Sequence, residues 1–168
     1  MRRFCLTHFM VLAVILGSFQ LASAVVLLSE GFEDVPNLPV TGWDMINHSN
    51  PVGTTDWFNG VTAEFDAETG AADSYAAASF NSTIGSGTIS NWLITPVLDF
   101  AAVSQVSFYT RTVDTPQFPD RLQVRLSTSG ASSDIGTTET DVGDFTTLLV
   151  EVNPALTVGG YPSEWMKY

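Results

Sequence analysis

The feature that most constrains this chain is the spacing of its apolar residues. Beyond residue 24 they recur at intervals of two or in short blocks, and each block ends in a cluster of Gly, Pro, Asn, Asp, Ser or Thr. An amphipathic helix needs apolar positions at i, i+3, i+4 and i+7 over several turns, and no stretch here supplies them. The pattern predicts an all-β protein. Candidate strands fall at residues 26–32, 43–47, 57–58, 75–80, 89–95, 105–112, 121–127 and 145–152. The clearest alternation sets Leu122, Val124 and Leu126 against Arg121, Gln123 and Arg125, one face for a core and one for water. Pro96, Pro116 and Pro119 cannot donate to a ladder and mark edges or turns. Residues 127–144, rich in Ser, Thr, Gly and Asp, read as a long solvated loop. Short antiparallel runs of this kind suit a β-sandwich.

The first 24 residues follow another logic. Arg2 and Arg3 precede an apolar run that ends near Leu16, too short to span a bilayer, and Ala22-Ser23-Ala24 places small side chains at a cleavage site. This is the layout of a secretory signal peptide over residues 1–24, cleaved after Ala24, with one domain over residues 25–168. Cleavage removes Arg2 and Arg3 but no carboxylate, taking the net charge from −12 to −14. A chain this acidic offers no basic stripe to phosphates, which argues against nucleic acid and anionic membrane surfaces as partners. Cys5, the single cysteine, lies in the signal peptide, so the exported part has no disulfide and no thiolate metal ligand. Export without disulfides points to a bacterial extracytoplasmic protein, secreted or at the cell surface. His48 is the one histidine left, which excludes multi-histidine metal sites. Asn47-His48-Ser49 and Asn81-Ser82-Thr83 fit the glycosylation sequon, and in a bacterial chain both read as turn residues.

At the other end, Gly159-Gly160-Tyr161-Pro162 forms a turn signal, and residues 165–168 read as the opening of a strand that stops with the sequence. The expectation is a domain missing its closing strands, with an exposed edge and an open core.

Taken in order, Glu30-Gly31-Phe32-Glu33-Asp34, Gly42-Trp43, Asp56-Trp57-Phe58, Ser90-Asn91-Trp92-Leu93-Ile94-Thr95-Pro96 and Pro119-Asp120-Arg121-Leu122-Gln123-Val124-Arg125 resemble the choice-of-anchor J domain, which is related to the cleaved adhesin domains. The resemblance covers most of residues 27–168. It implies a jelly-roll β-sandwich on secreted or surface-anchored bacterial proteins, with no catalytic residues to carry over. Members of that family continue into further strands and a C-terminal anchoring segment. This sequence resembles a truncated member.

Four local motifs bear on function. Leu38-Pro39-Val40-Thr41-Gly42 matches a sortase pattern but precedes the whole domain, where it reads as a turn delivering Trp43 to the core. Glu64, Asp66 and Glu68 would share one face of a strand, an arrangement that lets two carboxylates about 5 Å apart serve as nucleophile and acid in a retaining glycoside hydrolase. Thr69-Gly70 ends any such strand at once, and the solvated-loop reading is preferred. Glu33, Asp34, Asp66 and Asp73 supply hard oxygen ligands that point to a structural calcium, or else to a solvated acidic rim. Trp57 and Asn59, next to a turn, are the candidate ligand-binding pair for sugar rings. The reading of the whole is a non-enzymatic secreted or cell-surface module for adhesion or ligand binding, with extracellular carbohydrate or matrix polymer as partner. The alternatives are a secreted hydrolase using Glu64 and Glu68, and a structural spacer.

Overall fold

The computed structural model describes residues 25–100 and 104–168; the expected signal peptide, residues 1–24, lies outside the described residues. The fold is all-β and antiparallel. Its strands, in chain order, are β1 (Asp44–Asn47), β2 (Asn50–Val52), β3 (Phe58–Asn59), β4 (Ala76–Ala77), β5 (Thr83–Thr88), β6 (Asn91–Ile94), β7 (Tyr109–Thr110), β8 (Leu122–Leu126), β9 (Thr147–Val152) and β10 (Met166–Lys167). They pair as β1 with β6, β2 with β5 and β3 with β4, and then as β7 with β10 and β8 with β9. Both sets are nested, as when a long two-stranded ribbon bends back on itself. That is the connectivity from which jelly rolls are built. No helix among the described residues is long and apolar enough to cross a membrane.

The core is anchored by a 3-10 helix, Val35–Thr41, where the sequence reading placed only a turn. At three residues per turn, positions i and i+3 share a face, so Val35 and Leu38 both point inward and are buried with Trp43. Pro36 near the helix start needs no N–H partner there, and Gly42 at φ 92° closes the end in the left-handed region with its N–H on Pro39 O. The Phe32 ring meets Trp43 edge-on at 5.8 Å.

Two expectations about strands need correction. Residues 26–32 form no strand; they run irregularly, Phe32 takes a positive φ of 57°, and its N–H is satisfied by the Glu30 carboxylate at 2.8 Å. The strands β2 and β5 were not anticipated, because Pro51 and the Gly-Ser-Gly run of β5 are weak strand formers and only their mutual pairing makes them strands. The run 165–168 has its partner inside the chain. β10 pairs with β7, backbone hydrogen bonds in both directions join Phe108 and Tyr168, and their rings stack at 5.6 Å. The long loop 127–144 contains no regular element, as expected, but it is ordered from within. Asp141 accepts from the N–H groups of Thr137 (2.9 Å) and Thr138 (2.8 Å), and these bonds hold its carboxyl below the usual range. Ile135, midway along that loop, and Phe145, just past its end, are buried.

Candidate functional site

All five ladders contribute residues to one open cleft of about 3400 Å³. The inward faces are only half covered: every residue of β6 and of β8, including Leu122, Val124 and Leu126, is half-buried. The lining of the cleft runs from Val25 to Trp165, so it is the space between the half-covered sheet faces and not a pocket shaped around one small molecule. All four tryptophans, Trp43, Trp57, Trp92 and Trp165, are among its lining residues. Phe80 and Phe118 add rings that are 74% and 76% exposed.

Trp57 and Asn59, the expected ligand-binding pair, have structural partners. Trp57 packs against the Val35, Leu38 and Trp43 core, and its indole Nε1 is buried without a hydrogen-bond partner. Asn59 ties the N-terminal loop to β3. Its Oδ1 accepts from Val35 N–H at 3.1 Å, while its Nδ2 donates to Phe32 O and Glu33 O, both at 3.1 Å, with a longer 3.5 Å approach to Asp73 O. Val35 is fully buried, so without Asn59 its N–H would have neither water nor protein to satisfy it.

The acidic residues are dispersed. Asp34 is engaged with Asn37 Nδ2 at 2.5 Å, and Glu33 and Asp34, with Glu30, border a shallow pocket of about 270 Å³ beside the 3-10 helix. Asp66 and Asp73 are both exposed and use backbone carbonyls, Asp66 O accepting from Trp165 Nε1 at 2.9 Å and Asp73 O from Gly60 N–H at 3.1 Å. Among the described residues, no three His, Cys, Asp or Glu side chains come close enough to hold a metal ion. Glu64 lies in a turn, Asp66 in an irregular stretch and Glu68 in a bend; all are exposed, and no strand aligns them. Leu38 of the sortase-like motif is buried, and Thr41 Oγ1 donates back to Leu38 O at 2.9 Å, so the motif is folded into the core helix.

Sequence reasoning missed the cluster that fastens this acidic loop. Phe65 stacks on Tyr75 at 4.9 Å, Trp165 meets both rings edge-on at 5.7 and 5.6 Å, and the Arg111 guanidinium lies 4.2 Å over Phe65. Arg111 also pairs with Asp114 at 2.6 Å. The Tyr75 hydroxyl accepts from Val61 N–H at 2.8 Å and lies within donating reach of Val61 O and Phe65 O. Burial raises its pKa above the ordinary phenol value. The same cause pushes Tyr161, hydrogen-bonded to Thr110, up to about 12. The signal in sequence was faint: these partners lie up to 100 residues apart, as Phe65 and Trp165 do.

Compared with known proteins, the chain matches no family model, no curated protein and no solved structure.

Proposed function

We propose that this chain is a secreted or cell-surface, non-catalytic β-sandwich module that binds an extended extracellular polymer, carbohydrate or matrix, along the open cleft. The observation that carries this reading is the cleft itself, of about 3400 Å³, with the exposed rings of Phe80 and Phe118 on its border. A space open along the sheet faces suits an extended chain more than a compact ligand. Aromatic rings offer flat apolar faces at little conformational cost, which suits the C–H faces of sugars. The resemblance to choice-of-anchor J domains supports the same class of role at a bacterial surface. The hydrolase alternative lacks support from the exposed, non-strand setting of Glu64 and Glu68.

Electrophoresis through gels containing a panel of soluble polysaccharides tests the proposal. Retarded migration on at least one polymer, weakened several-fold by Phe80→Ala or Phe118→Ala, is the expected result. Unchanged migration on every polymer by folded protein would refute it. Release of reducing ends from β-glucan, lost in Glu64→Gln or Glu68→Gln, would replace it with the hydrolase.

A further inference from the structure

Asn59 and Gly60 form the single Asn-Gly pair of the chain. Such a pair is the dipeptide most open to deamidation, because glycine has no side chain to shield its backbone nitrogen from the amide carbon before it. Here packing imposes both members. Asn59 supplies the bonds to Val35 N–H, Phe32 O and Glu33 O that fasten the N-terminal loop. At residue 60 a Cβ would overlap the Tyr75 ring, whose hydroxyl is itself fixed by Val61 and Phe65, so only glycine fits. The hazard cannot be removed by substitution and is guarded by geometry instead. The carboxamide is held by the loop, Gly60 N–H donates to Asp73 O at 3.1 Å, and Asn59 pairs with Ala76 in an extended backbone that keeps Gly60 N away from Asn59 Cγ. The guard is thin. The ladder of β3 with β4 holds two residue pairs, and the loop begins with Val25 and Val26, 79% and 76% exposed. Segments with so few buried contacts open at low cost in free energy.

We infer that Asn59 is a modification site, deamidated by water when the N-terminal loop lifts, and that the product prevents the loop from returning. In the lifted state Gly60 N gives its proton to hydroxide and bonds to Asn59 Cγ. The Cγ–Nδ2 bond breaks, the departing nitrogen takes a proton from water and leaves as ammonia, and a five-membered imide remains. Water then opens either imide carbonyl, giving aspartate or isoaspartate at position 59. The sum is one water consumed and one ammonia released, with no change of oxidation state. Aspartate sets a carboxylate oxygen against Phe32 O and Glu33 O, and isoaspartate adds a main-chain carbon that breaks the pairing with Ala76. Residues 25–28 and 30–32 border the cleft, so its N-terminal rim is released one way.

The test holds purified protein at mildly alkaline pH in native buffer, in urea below the unfolding midpoint and in urea above it, and maps peptides by mass spectrometry over time. Asn59 should convert first among the asparagines of the unfolded chain, and at least about tenfold more slowly in native buffer. Its rate should rise in urea below the midpoint, before tryptophan fluorescence reports global unfolding. Conversion in native buffer as fast as in the unfolded chain, a rate flat below the midpoint, or Asn81 converting ahead of Asn59 overturns the inference. The converted protein, separated by its added negative charge and returned to native buffer, should melt lower and be cut by protease within residues 25–41. A converted fraction with the original melting temperature and protease pattern overturns the one-way release.

Discussion

Replacing Asn59 tests the central structural claim, that one amide fastens the N-terminal loop to the sheet. In Asn59→Ala, the Val35 N–H loses its acceptor in a fully buried position, which costs about 1 to 3 kcal/mol. Phe32 O and Glu33 O lose a donor as well, but Glu33 is exposed and its carbonyl can take water, so their share is smaller. The sum is about 2 to 3 kcal/mol, or a fall in melting temperature of roughly 5 to 10 °C for a domain of this size. Asn59→Asp sharpens the test. The carboxylate can still accept from Val35, yet its second oxygen would face the Phe32 and Glu33 carbonyls that Nδ2 now serves. That repulsion raises the folded-state pKa of the new carboxyl above its unfolded value of about 3.9. The stability recovered by protonation is then present below pH about 3.9 and lost as pH rises through the raised folded value. Urea unfolding of both variants against wild type, across pH, reads these effects. An Asn59→Ala variant within about 0.5 kcal/mol of wild type would refute the staple, since the buried donor alone demands more.

Other outcomes follow from the same geometry. Arg111→Met should cost about 1 to 2 kcal/mol, chiefly through the desolvated contact with Phe65, and a double-mutant cycle with Phe65→Leu should return most of that as coupling; additive single effects would dismiss the contact. Tyr161, neutral in the fold up to about 12, contributes stability that is complete below its unfolded pKa of about 10 and lost as pH rises toward 12. Alkaline unfolding followed by phenolate absorbance should thus shift to higher pH in Tyr161→Phe, and a fully ordinary phenol titration in the folded protein would contradict this. A structural calcium on Glu33, Asp34, Asp66 and Asp73 would need these dispersed carboxylates to converge, and would show as a melting temperature that rises with free calcium more than with magnesium; a melting curve indifferent to calcium and chelator leaves them a solvated acidic rim.

What the sequence determined by itself was the class of fold and the faces of its best-patterned strands. Period-two alternation is a local record of which side of a strand is apolar, so β1, β6, β8 and β9 were legible within a few residues. Composition likewise determined that no disulfide or multi-histidine site could exist in residues 25–168. The tertiary structure decided what local pattern does not encode, namely which distant segment each strand and polar side chain meets. Residues 26–32 open on an apolar run but have no partner strand, whereas β2 and β5 carry poor strand residues and pair with each other. Asn59 looked available for a ligand because its three main partners lie 24 to 27 residues upstream. The two sequons part company in the fold, where the nested pairing gives the half-buried Asn47 amide two carbonyl acceptors, Thr55 O and Ser82 O, and leaves the Asn81 side chain exposed. Hydrogen-bond partners are assigned by chain topology, which neighbours in sequence do not reveal.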